Sequence, residues 1–172
     1  MKVYKLTTRD GRTVKDQRAT PGRENDVKWF PGRIMVTSGQ GDLYGPGFVH
    51  AYLSPLLAAL CGPEHAVDYG SLLLWECEAV VAKVEGLKLG CTMLVTERQV
   101  EVPKVTNLQR LQVAMACVGN FLPAGMAGHL RVAFRDDPLG DLAALNLVHV
   151  LGWAAHSHGL DVRQVAESFV QT

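Results

Sequence analysis

Three polar side chains, His50, Tyr52 and Ser54, lie two residues apart in the segment GPGFVHAYLSP, which spans Gly45 to Pro55. Alternate side chains of an extended strand project to one face at a spacing of about 7 Å, so an imidazole, a phenol and a hydroxyl would line up. Such a group could hold a ligand by stacking and hydrogen bonding, or transfer a proton near neutral pH. The alternative is that Ser54 only caps a helix while His50 and Tyr52 are half-buried sheet residues.

Two carboxylates, Glu76 and Glu78, flank Cys77 inside the apolar segment LLLWECEAVVA. If both are shielded from water, repulsion and desolvation raise the pKa of at least one, which is how a general acid is made. The alternative is that they lie at the wet end of a strand and pair with Arg98 or Lys83. Together with His50 and Tyr52, these two glutamates are the candidate catalytic residues.

Aromatic residues in predicted loops indicate a different kind of site. Trp29, Phe30 and Tyr44 lie in glycine- and proline-rich surroundings, where exposed aromatic side chains can anchor a protein interface. With Phe48 and Ser54 they form the predicted binding residues. The partner that this set favours is another protein.

The composition excludes several functions. Lys and Arg together equal Asp and Glu at 17 each, so no net charge draws the chain to nucleic acid in general or to an anionic membrane. The four cysteines lie far apart without a C-x-x-C pair, which argues against a metal site and for reduced, buried thiols. The N-terminal residues do not resemble a signal peptide, and no apolar run reaches the ~18 residues of a membrane span, so we expect a cytoplasmic protein. No phosphate-binding glycine loop is present.

The pattern of strands and helices predicts an α+β fold. Strands are expected at 3–7, 12–14, 27–30 and 33–37, followed by a central strand at 72–82 and its neighbour at 93–102. Helices are expected after the capping residues Ser54, Thr106, Asp137 and Asp161. The chain is therefore predicted to be a single domain, 1–172, β-rich over 1–103 and helical over 104–172. A mostly antiparallel twisted sheet would come from the N-terminal two thirds, with the C-terminal helices packed on one of its faces.

Two segments of the chain resemble known protein families. The segment Gly47 to Pro55, followed by an apolar strand, the strand Met93 to Arg98 and a helix near Thr106, resembles a family of uncharacterised small proteins of phages and prophages. That resemblance implies a phage or mobile-element context. The combination of His50, Ser54-Pro55 and Glu76/Glu78 resembles the ADP-ribosyltransferase pattern, which implies that His50 and Tyr52 contact NAD and that Glu78 is catalytic.

Three functions are therefore expected from the sequence. The leading one is a small protein without a cofactor that binds a host or phage macromolecule, as an inhibitor or adaptor, in the host cytoplasm. The second is an NAD-using transferase centred on His50, Tyr52 and Glu78. The third is a structural component of a particle.

Overall fold

The computed structural model describes residues 1–13, 27–43, 45–61, 72–118, 151–152 and 154–170. Its five strands are β1 (Lys2–Thr7), β2 (Ile34–Val36), β3 (Val49–Ala51), β4 (Leu73–Glu85) and β5 (Lys88–Val100). Its helices are α1 (Pro55–Cys61), α2 (Asn107–Val118) and α3 (Val162–Phe169), and residues 151–152 and 154–158 are also helical. None of the described helices is long and apolar enough to cross a membrane.

The strands form one antiparallel sheet in the order β1-β4-β5-β2, and β3 pairs with β5 beside β2. The β4-β5 hairpin is its centre, with 13 residues in each strand and a turn at Gly86, whose φ of +56° favours glycine. Beyond β3, Tyr52 exchanges two backbone hydrogen bonds of 2.8 Å with Tyr4 of β1. The sheet therefore curls until β1, at one end of the strand order, lies next to the residue that follows β3.

The curl gives the sheet an inner and an outer face, each with its own apolar cluster. The inner cluster contains the two tryptophans Trp29 and Trp75 and is completed by Val3, Val49, Ala51, Cys77, Ala79, Leu89, Cys91 and Leu94. On the outer face the three helices pack over Leu6, Leu74 and Tyr52. The described helices pack on one face of this antiparallel sheet, and the predicted α+β fold is confirmed.

Local sequence signals set the helix starts as expected. The Ser54 hydroxyl accepts a hydrogen bond of 3.1 Å from the Leu57 amide at the start of α1. Thr106 and Gln109 bond reciprocally at the start of α2, and Asp161 accepts from the Gln164 amide at the start of α3. Each cap satisfies an amide that has no partner within its helix, so these predictions are confirmed.

The strands predicted at 3–7, 33–37, 72–82 and 93–102 are confirmed in position, although their extents differ. The central strand predicted at 72–82 runs to Glu85, and its neighbour begins at Lys88 rather than Met93, because the glycine turn lets both strands continue. The strands predicted at 12–14 and 27–30 are wrong over their described residues, because these form only isolated bridges, Arg12 with Lys28 and Thr13 with Thr7. Most of the helix predicted from Asp137 lies outside the described residues.

Candidate functional site

The side chains of His50, Tyr52 and Ser54 do not line a shared site. Tyr52 and Ser54 are both buried, Tyr52 beneath the helices of the outer face and Ser54 as the cap of α1. His50 lies opposite Gly90 on β5, and its Nε2 is 2.5 Å from the carbonyl oxygen of Leu43. A carbonyl oxygen can only accept, so this nitrogen must carry a proton.

Glu76 is held between two cations, Arg98 and Lys2. Its carboxylate accepts from Arg98 Nε at 3.2 Å and Nη2 at 3.1 Å, and from Lys2 Nζ at 3.0 Å. The hydrogen bonds from Arg98 and then Lys2 lower the pKa of Glu76, the reverse of the raised pKa that the catalytic prediction required. The alternative pairing with Arg98 is the one observed, whereas Lys83 donates to the carbonyl oxygen of Gly41.

Glu78 is an exposed residue at some distance from His50. Its carboxylate lies 3.1 Å from the Met1 amino group. Glu78 pairs with Val95 on β5 and His50 pairs with Gly90, five residues away, which corresponds to roughly 17 Å along the strand. His50 and Glu78 therefore lie at separate places on the sheet, whereas Tyr52 and Glu76 are both paired with Tyr4 of β1.

The aromatic residues predicted to bind a partner differ in burial. Trp29 is buried, and its indole N–H donates to the hydroxyl of Thr13 at 2.8 Å, so its assignment to an exposed loop is wrong. Phe48 is also buried, beneath the ammonium group of Lys83 and close to Gly90. Phe30 is exposed as predicted, and Tyr44 lies outside the described residues.

A buried lysine was not foreseen from the sequence. Lys5 alternates with apolar residues in β1 and would normally face water, yet only 6% of it is exposed. Its ammonium donates to the carbonyl oxygen of His50 at 3.2 Å and lies 4.9 Å from the centre of the Trp29 ring. Among the described residues no carboxylate forms an ion pair with it. Desolvation lowers the pKa of Lys5 to about 8.

The thiols of Cys77 and Cys91 are buried on the same inner face of the sheet as Lys5. Burial raises the pKa of Cys77 to about 12 and that of Cys91 to about 11, so both thiols are protonated at neutral pH. Among the described residues, the inner face thus buries one amine and two neutral thiols in an apolar cluster.

The outer face carries the second unforeseen feature, an exposed group of apolar side chains on three adjacent strands. Val36 of β2 pairs with Met93 of β5, which pairs with Val80 of β4, and Ile34 lies on the same face two residues from Val36. The exposed fractions are 58% for Ile34, 69% for Val36, 51% for Val80 and 36% for Met93. We call these four residues the outer stripe. In the sequence, Ile34 and Val36 look like any half-buried strand, so no signal there reveals their exposure.

Charged residues separate the outer stripe from the part of the face that the helices cover. Moving along β4, the outward positions are Leu74 under the helices, then Glu76 and Glu78, then Val80. Lys2 and Arg98 flank Glu76 on the adjoining strands. The outer stripe is therefore an apolar area bordered by charged residues on the side of the helices, and an apolar centre with a polar rim is usual in protein interfaces.

Among the described residues, no three His, Cys, Asp or Glu side chains are grouped closely enough to hold a metal ion. No protein-family model, curated protein or solved structure matches the chain.

Proposed function

We propose that the chain is a protein-binding module and that the outer stripe is its docking face. The observation that carries this proposal is the continuous exposure of Ile34, Val36, Val80 and Met93 across three paired strands. Single exposed apolar residues are ordinary, but a contiguous group with a polar border is typical of a surface that another protein covers.

The energetics of the outer stripe favour a protein partner. Fully burying a Val, Ile or Met side chain stabilises by about 1.5–3 kcal/mol, and each of these four is already partly covered by its own sheet. Docking would thus gain on the order of 1 kcal/mol for each side chain, enough for four neighbours to act together as an anchor. The equal numbers of cationic and anionic residues, 17 each, add no long-range repulsion toward partners of either sign.

The biological role belongs to the same proposal. The module acts as an inhibitor or adaptor that binds a host or phage protein, the context implied by the resemblance to phage-encoded proteins. The proposal is supported by the separation of His50 from Glu78, whose partners on β5, Gly90 and Val95, are five residues apart.

A photo-crosslinking amino acid at position 36, compared with position 84, tests the docking face. Val84 is 66% exposed at the end of the β4-β5 hairpin, outside the outer stripe, and is a matched control. In a bacterial lysate we expect a discrete adduct from position 36 and none from position 84. Adducts of equal yield at both positions would refute the proposal.

The crosslinked protein, once identified by mass spectrometry and purified, allows a quantitative check. The double variant Val36→Asp/Val80→Asp should weaken the dissociation constant at least tenfold in calorimetry, because each carboxylate would have to be desolvated at the interface. Val84→Asp should leave it unchanged. Circular dichroism of all variants controls for folding.

No contact among the described residues favours the NAD-using alternative. Tyr52 is buried, His50 bonds the Leu43 carbonyl group, and Glu78 lies roughly 17 Å along the sheet from His50. We therefore expect millimolar NAD to leave the melting temperature unchanged. A ligand at 100 times its dissociation constant would stabilise the protein by about 2.7 kcal/mol, so a rise of several degrees would restore the transferase hypothesis.

A further inference from the structure

We infer that the partner enters as an extended strand that pairs with the open edge of β2 and places a carboxylate beside Arg33. This inference rests on the proposed function and specifies its mode of docking. It adds backbone pairing, through Ile34 and Val36, to the apolar contact that the outer stripe provides.

The backbone of β2 has one side bonded and one side open. The Thr96 amide donates to the Arg33 carbonyl oxygen at 3.0 Å, and the Thr37 amide donates to the Thr92 carbonyl oxygen at 2.9 Å. Residues 33 and 37 thus face β5, and backbone groups alternate in direction along a strand. The N–H and C=O groups of Ile34 and Val36 therefore point away from β5.

No described strand lies on the open side of β2, which is at the end of the strand order. Edge strands are commonly protected by charged residues, proline or a bulge, because an unprotected edge pairs with other chains. β2 is short, which limits the edge, but its three residues, Ile34-Met35-Val36, include no charge, proline or bulge and favour strands. Strand addition to such an edge is a recurrent mode of peptide recognition, in which the backbone gives affinity and alternate side chains give specificity.

Arg33 supplies the charge preference. Its backbone is fixed by Thr96, whose side-chain oxygen accepts from the Arg33 amide at 3.0 Å. Its guanidinium carbon lies 6.0 Å from the centre of the Phe30 ring, and its Nε is buried without a hydrogen-bond partner. Among the described residues no carboxylate pairs with Arg33. An Asp or Glu on the incoming strand would satisfy this donor with a charge-assisted hydrogen bond.

The same geometry disfavours a second copy of this chain as the occupant. Antiparallel pairing of two β2 strands would set Ile34 opposite Val36 of the second copy, and hence Arg33 opposite its Thr37. A threonine hydroxyl has no charge to offer Arg33. The open edge and the arginine together are better matched by a foreign strand that carries an acid.

A random 12-residue peptide library displayed on phage and selected on the full chain tests this inference. We expect enriched peptides with apolar residues at alternate positions and at least one Asp or Glu. The strongest peptide is then synthesised in two forms, with its acid and with the matching amide. Arg33→Gln should weaken binding of the acidic form about tenfold and leave binding of the amide form unchanged.

Amide exchange followed by NMR reports the backbone pairing directly. The amides of Ile34 and Val36 should exchange at least tenfold more slowly when the peptide is bound, whereas that of Met35, which faces β5, should change little. Val36→Pro should abolish binding without a loss of ladder bonds, because the amide that it removes points to the open edge. Met35→Pro is the matched control and should destabilise the fold.

The possible failures are distinguishable. Crosslinking at position 36 with no enriched peptides, or with peptides that leave the amides of Ile34 and Val36 unprotected, overturns strand addition and leaves the proposed function intact. A concentration-dependent dimer in light scattering that Val36→Pro dissolves and Arg33→Gln does not affect makes a second copy the occupant and overturns the inference. Absence of both crosslinks and peptide binding overturns both proposals.

Discussion

The buried ammonium group of Lys5 should make the stability of this protein rise with pH, and Lys5→Met tests that expectation. Burial lowers the pKa of Lys5 from 10.5 to about 8 in the folded protein. At about 1.4 kcal/mol for each pKa unit, charging this group costs folding about 3 kcal/mol. The cost applies in full below pH 8, where the lysine is charged in both states. It fades between pH 8 and 10.5, as the folded protein releases its proton first.

The expected result is a change in the pH dependence rather than a large change at one pH. At pH 7, Lys5→Met removes the cost of about 3 kcal/mol for burying a charged ammonium group. The His50 carbonyl oxygen also loses its donor, which costs about 1–3 kcal/mol. The second effect does not vary with pH. The difference in unfolding free energy between Lys5→Met and the wild type should therefore fall by about 2 kcal/mol from pH 7 to pH 9.5.

Urea unfolding followed by tryptophan fluorescence, with reductant present, measures this difference. Above pH 9 the thiols of Cys77 and Cys91 ionise in the unfolded chain only, because burial raises the pKa of both, and this lowers the stability of variant and wild type alike. Taking the difference at each pH removes that contribution, so the change that remains is due to Lys5.

Lys2→Met on the same strand is the matched control. Its hydrogen bond to Glu76 raises the pKa of Lys2, so whatever it contributes is fully present below pH 10.5 and constant from pH 7 to 9.5. If the difference between Lys5→Met and the wild type is equally constant over that range, the Lys5 ammonium is hydrated or paired in the folded protein and the reasoning is refuted.

Three further predictions concern single side chains. Ser54→Ala should lower the unfolding free energy by about 1 kcal/mol in urea titration, because α1 loses its cap. Ser54→Asp should keep most of the wild-type stability, since a carboxylate can accept the same hydrogen bond. An unchanged midpoint for Ser54→Ala would contradict the capping role of Ser54. Gly47→Ala should cost about 2 kcal/mol or more by the same assay, since its Cβ would overlap the backbone carbonyl oxygen of Gln40. Gly152→Ala, in a helix where no described residue comes within 4 Å of the added Cβ, should stabilise by roughly 0.5–1 kcal/mol. Equal effects of the two substitutions would argue against the close approach at Gly47. Glu76→Gln should reduce the loss of unfolding free energy on acidification. The lowered pKa of Glu76 gives stability that is present above pH 4.5 and is lost as the pH falls through the folded-state pKa. An acid transition identical to that of the wild type would show that the carboxylate is not paired in solution.

Features that depend on neighbouring residues were predictable from the sequence. The caps at Ser54 and Asp161 were found because a capping side chain bonds an amide three residues ahead, within the same short segment. The central position of β4 was found because its apolar residues occupy both faces in succession. These patterns also gave the α+β class of the fold.

The environment of each candidate site residue was not predictable in the same way. Period-two spacing correctly put His50 and Tyr52 on one face of an extended segment, but it carries no information on what lies above that face. In the structure the helices cover Tyr52, and Leu43 lies beside His50. The same spacing left open whether Glu76 would pair with Arg98, and the register of β4 against β5 decided that it does.

The sequence by itself determined the described helix starts, the central position of β4 and the absence of net charge, because each follows from residues close together in the chain or from composition alone. Tertiary structure decided which side chains are buried. Lys5 is buried because Tyr4 and Tyr52, 48 residues apart, pair and curl the sheet around it. Val36 and Val80 are exposed because the described helices cover the other end of the outer face. Burial depends on which distant elements meet, and the period of a strand specifies only which side chains share a face.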